Sequence, residues 1–325
     1  MNKNNIIKTI LLLITAIIWG SAFVAQSVGT GYVGPFTFNF VRNILGGLVL
    51  LPVIWIMDKL RRVDNTAGNV DRADKSAGEN ELTGSNSSET LREGSKTLLI
   101  GGVCCGIALC VASNLQQFGL MHTTVGKAGF ITALYIIIVP VIGIFLKKKC
   151  GVKVWLGVVI ALAGFYLLSV KDGFTLEQSD IYLLCSAIMF SVHILLIDHF
   201  SPKVDGVKMS CLQFFVCGII SGIIMLITET PTIAAIRGAW IPLAYSGILS
   251  CGVAYTLQIV AQKDYNPTVA SLVLSLESVF SALAGWLILH QELSARELTG
   301  CALIFCAIIL AQLPSRLTKG YGVKN

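Results

Sequence analysis

The chain has 325 residues, 54% of them hydrophobic and only 13% charged, with a mean hydropathy of +0.77. A soluble domain carries roughly 25% charged residues, so this composition excludes a water-facing surface over most of the chain. The net charge of +6 points to cationic loops held on one side of a membrane and not to a nucleic-acid face, because Lys and Arg lie between apolar runs.

Charge-poor apolar runs fall at about 9–28, 35–57, 97–120, 125–146, 153–170, 180–198, 209–228, 240–262, 267–289 and 297–314. These runs, spans 1 to 10, are each of the order of the ~20 residues that cross a bilayer core. Barrel strands would show about 10 residues of alternating polarity, and no such alternation is visible, so the spans read as helices. The amino terminus resembles a signal peptide in having Lys3 and Lys8 before an apolar run. Its uncharged stretch from Thr9 to Val41 is too long for a signal core of roughly 7–15 residues, which makes it the first membrane helix. Pro35, Pro242 and Pro267 stand at or near helix starts, where a missing N–H is harmless. Pro52 and Pro140 are interior and are expected to bend their helices.

The one long hydrophilic segment, 58–95, has almost no bulky apolar residues. It cannot bury enough surface to offset its ordering entropy and is expected to be a disordered cytoplasmic loop. The ten cysteines include no CxxC pair and read as small buried hydrophobes. Of the 24 Lys and Arg residues, 19 lie in the two termini and the segments after spans 2, 4, 6 and 8. The opposite segments hold Lys127, Lys171, Arg237 and Arg296, while Arg42 is inside span 2. That asymmetry predicts two cytoplasmic termini and an even number of spans.

A displacement of 143 lays spans 4–5 on spans 9–10 without a gap: Thr132 meets Ser275, Lys153 meets Arg296 and Gly157 meets Gly300. A displacement of 171 lays Thr15–Ala16 on Ser186–Ala187. Five helices repeated twice require the second copy to enter the membrane upside down, a device of secondary transporters.

Polar residues isolated in apolar runs are the candidates for a site. Glu277 is near the middle of span 9, where an ionised side chain costs at least ~2.5–3.5 kcal/mol. It therefore faces the bundle interior, either coupling to a proton or cation or joining helices by a hydrogen bond. His193 is central in span 6, and its near-neutral pKa suits a proton relay as well as a plain interhelical bond. Arg42 has three options: pairing with Glu277, contacting an anionic substrate, or snorkelling outward. Ala128, Thr132, Tyr135 and Val139 share one face of span 4, and Tyr255, Gln258 and Gln262 one face of span 8. Asn114 and Gln117 in span 3, and Trp19 in span 1, either line a cavity or pack helices together. Gly102–Gly106, Gly218–Gly222 and the stripe Ser271, Ser275 and Ser278 permit close helix contact, with a dimer interface as the other option. No GxSxG, Walker loop or HExxH occurs, so neither an enzyme, a metal nor a cofactor is expected.

The stretches Ala16–Val24 (AIIWGSAFV), Lys127–Pro140 (KAGFITALYIIIVP) and Leu276–Glu292 (LESVFSALAGWLILHQE), with Arg42 and Gly300, resemble the EamA group of the drug/metabolite transporter superfamily. The resemblance covers nearly the whole chain and implies ten helices, cytoplasmic termini and a central substrate cavity. The resulting expectation is an all-α integral membrane protein of ten transmembrane helices in two inverted five-helix repeats, 1–170 and 171–325. It would move small metabolites or drug-like solutes across the plasma membrane by alternating access, in the efflux direction, with proton coupling as an option, as a monomer or homodimer without nucleic acid. An integral membrane enzyme acting on lipid-linked substrates and a non-transporting sensor are the alternatives.

Overall fold

The computed structural model describes residues 3–73, 84–145, 152–169, 177–263, 265, 267–292 and 294–312. All regular structure among these residues is helical. The first half contains α1 (Lys3–Thr30), α2 (Pro35–Ala73), α3 (Gly84–Leu120), α4 (Val125–Thr132), α5 (Tyr135–Phe145) and α6 (Val152–Ser169). The second contains α7 (Gln178–Phe200), α8 (Gly206–Thr228), α9 (Ile233–Gly238), α10 (Trp240–Ala244), a π-helical segment π1 (Tyr245–Tyr255), α11 (Thr256–Gln262), α12 (Pro267–Leu274), α13 (Glu277–Leu289) and α14 (Ala295–Gln312).

Seven stretches among the described residues are long and apolar enough to cross a membrane, from Asn5–Thr30 through Trp240–Gln262. They coincide with the expected spans 1–4 and 6–8. Span 5 falls on α6, span 9 on the pair α12 and α13, and span 10 on α14. The apolar stretches Trp155–Gly164 of α6 and Glu277–Leu289 of α13 are shorter than those seven.

Spans 4 and 9 are each broken into two half-helices. At Ala133–Leu134 the ladder tightens, with Leu134 N bonding Ile131 O at 3.1 Å and Ile136 N bonding Ala133 O at 3.0 Å. At Ser275–Leu276, Leu276 N bonds Val273 O at 3.2 Å and Ser278 N bonds Ser275 O at 3.1 Å. Pro52 and Pro140 lie inside α2 and α5, so the interruption of span 4 precedes its proline. In span 8 the expected plain helix is wound as π1 instead, a form frequent at functional sites.

The stretch expected as a disordered loop, 58–95, is described in part. Helical backbone continues in α2 to Ala73 and resumes in α3 at Gly84, while residues 74–83 lie outside the described residues. Nucleation is the costly step of helix formation, so a helix begun inside the apolar span propagates into polar sequence that could not start one.

Helix starts are set by local caps. Thr124 Oγ1 accepts Lys127 N at 3.4 Å before α4, and Asp205 Oδ1 accepts Val207 N at 3.0 Å before α8. Glu229, at the end of α8, accepts from Phe36 N at 2.9 Å and Thr37 N at 2.8 Å. The carboxylate thereby satisfies donors that a helix start leaves open and ties α8 to α2. Both GxxxG stretches are used within the chain: Gly102 and Gly106 face Leu212 and Val216 of α8, and Gly218 and Gly222 face Ile44 and Phe40 of α2.

Candidate functional site

A narrow cavity of about 30 Å³ lies among α1, α2, α3, both halves of span 4, α7, π1, α11 and α13. Of the thirteen residues singled out from sequence as site candidates, eight line it: Trp19, Arg42, Thr132, Tyr135, His193, Tyr255, Gln258 and Glu277. Asn114 and Gln117 do not. Asn114 accepts from Asn39 Nδ2 at 2.9 Å and donates to Ser221 Oγ at 3.0 Å, joining α2, α3 and α8. Gln117 Nε2 donates to the Gln26 carbonyl at 3.1 Å. Gln262, on the expected face of span 8, is buried without lining the cavity, and Ala128 and Val139 belong to apolar clusters.

The cavity lining combines aromatic and polar side chains. Trp19 lies 4.5 Å from Tyr255, centroid to centroid, and its indole N–H donates to Ser250 O at 3.4 Å. Phe190 and Ile194 of α7 continue this wall. Among the polar lining, Arg42 Nη1 donates to Gln26 Oε1 at 3.0 Å, and Gln116 Nε2 donates to Thr132 Oγ1 at 3.3 Å. His193 Nε2 bonds Gln213 Oε1 at 3.0 Å; since that oxygen only accepts, the ring proton is assigned to Nε2.

The two formal charges of the site are held apart. Arg42 is 2% exposed and Glu277 4% exposed, so Arg42 does not snorkel outward. The ion pairs formed among the described residues are Lys127 with Glu177 and Asp180, and Lys208 with Asp58; Arg42 and Glu277 are not paired. Glu277 is the first residue of α13, as Tyr135 is of α5, which puts both at the breaks of the discontinuous helices. Among the described residues, Arg42 Nε and Gln258 Oε1 are buried without a hydrogen-bond partner. Leaving such a group dry costs roughly 1–3 kcal/mol, so the chamber is built to hold water or a polar solute.

Sequence reasoning passed over Gln26, Gln116, Phe190 and Ser250, all of which line the cavity. The signal that flagged His193, a lone polar side chain in an apolar run, was equally present at Gln26. It also missed Lys127, counted as a loop cation but only 6% exposed. Its Nζ lies 2.8 Å from Asp180 Oδ1 and 3.5 Å from Glu177 Oε2, joining the start of α4 to the start of α7.

The EamA-like transporter family matches residues 6–170 and, separately, residues 178–313. An uncharacterized transporter of Archaeoglobus fulgidus is 28% identical over 93% of this chain and 84% of its own length. The uncharacterized transporter YoaV of Bacillus subtilis is 21% identical over 94% of this chain and 96% of its own. A solved crystal structure, 17% identical, matches with a TM-score of 0.66 over 96% of this chain and 98% of that one, a likeness of fold.

Proposed function

This chain belongs to the EamA-like transporter family, and on that premise we propose that it is a secondary carrier of small metabolites or drug-like solutes working by alternating access. It is a multi-pass membrane transporter and not an enzyme. In this reading it sits in the plasma membrane with both termini in the cytoplasm, exports its solute, and consists of ten helices in two inverted repeats, 1–170 and 171–325. The central cavity is the substrate site, with Glu277, His193 and Arg42 as its polar centre.

The observation that carries the reading is a single polar chamber whose walls come from both halves, Trp19 to Tyr135 from the first and Phe190 to Glu277 from the second. A site shared between repeats changes its open side when one half rocks against the other. The packing supports two equivalent halves. The contacts of α4 and α5 with α7 have their counterpart in those of α12 and α13 with α1. The contact of α3 with α7 corresponds to that of π1 and α11 with α1. The breaks at Ala133–Leu134 and Ser275–Leu276 also fall within one residue of each other at a displacement of 143.

The test is counterflow in reconstituted vesicles with a broad solute panel. A carrier exchanges at least one labelled solute against its unlabelled form; if the whole panel fails to exchange, the carrier reading falls.

A further inference from the structure

We propose that the transported solute carries an anionic group that seats on Arg42. The proposal rests on the carrier reading above and specifies its substrate class.

Arg42 is sealed in the chamber with neutral company. Its Nη1 is held by Gln26, its guanidinium carbon lies 5.9 Å from the Phe38 ring centroid, and its Nε has no partner among the described residues. No carboxylate is within ion-pair distance of it among those residues. A guanidinium cannot shed its proton at accessible pH, and a buried cation without a counter-ion is unfavourable by several kcal/mol. The other buried Lys or Arg among the described residues, Lys127, has two carboxylates. Arg42 has an unpartnered N–H beside a cavity, which is the arrangement an arriving carboxylate, sulfonate or phosphate completes. A cationic solute in the same chamber would instead meet a permanent like charge.

The test uses reconstituted protein and three fixed-charge competitors of whichever panel solute exchanges: benzenesulfonate, benzenesulfonamide and benzyltrimethylammonium. The expected result is competition by the sulfonate about tenfold or more stronger than by the amide, with the ammonium weakest. Arg42→Gln erases the sulfonate's advantage, and Arg42→Lys, which keeps the charge, retains part of it. A ranking indifferent to charge or a preference for the ammonium overturns the proposal. If Arg42→Gln does not fold, the ranking shown by the wild-type protein decides it. Exchange with the wrong charge preference removes this proposal and leaves the carrier; no exchange by any panel solute removes the carrier itself.

Discussion

Gly20 controls how closely α1 approaches the residue at the centre of the site. A Cβ built there would lie 2.8 Å from the Glu277 carbonyl oxygen and 2.9 Å from the Phe280 carbonyl carbon, both backbone atoms that cannot swing aside. Gly20→Ala must therefore separate α1 from α13, an overpacking cost of about 1–3 kcal/mol, and displace Glu277 from the chamber. The expected outcome is a lower thermal midpoint of the purified protein and slower solute exchange. Gly94→Ala is the control: nothing lies within 4 Å of a Cβ there, and replacing a helical glycine at an open position stabilises slightly. Equal stability of the two variants would contradict the packing argument. Which individual residues reach the cavity was only partly legible. Glu277, His193 and Arg42 stand out because an ionisable group inside an apolar run needs a protein partner. Gln116 and Gln117, by contrast, are adjacent and chemically identical, and about 100° of helix rotation separates them. Gln116 enters the cavity while Gln117 turns to the Gln26 carbonyl, and that phase comes from packing against other helices.

At the scale of elements, seven of the ten expected spans match helices long and apolar enough to cross a membrane, because apolar length is a one-dimensional signal; the interruptions were not legible. Pro140 marked span 4 as bent, yet the ladder changes at Ala133–Leu134, upstream of it. The break of span 9 has no interior proline at all. The halves are also fastened differently at corresponding places. Lys127 joins Asp180 where α4 begins beside α7. A displacement of 171 carries Asp180 onto Thr9, whose hydroxyl lies 2.9 Å from that of Tyr265 just before α12. One fastening is ionic with the Asp180 side chain fully buried, the other a neutral pair of hydroxyls. Asp180→Ala leaves the Lys127 ammonium buried beside Glu177 alone, whose side chain is 53% exposed. Breaking a buried pair costs about 3–5 kcal/mol, whereas replacing both partners with apolar groups is often neutral. The single variant should thus unfold at markedly lower temperature, and Lys127→Met with Asp180→Leu should regain most of the loss. A double variant no more stable than the single one would show that the pair is not what fastens α4 to α7.

For the whole molecule, the proposed architecture turns on one relation, the opposite insertion of two similar halves. The family match to residues 6–170 and again to 178–313 supports two copies, and an odd number of helices per copy forces the second to enter reversed. Charge supports the same orientation: the segment after span 8, with Lys263, belongs to the set holding 19 Lys and Arg, while the one after span 3, which contains His122, belongs to the set holding four. These two segments occupy equivalent places, just before the broken helices α4 and α12, and both His122 and Lys263 are exposed. With the native cysteines replaced by alanine, His122→Cys should react with an impermeant thiol reagent added to intact cells. Lys263→Cys should react only after the membrane is opened. Two copies inserted in parallel would put both cysteines on one side. The chamber's two walls would then face the same way, and rocking them could not exchange its open side. Labelling of both positions from outside, or of neither, would therefore remove the inverted repeat and the alternating-access mechanism together, while leaving the packing of α1 against α13 untouched.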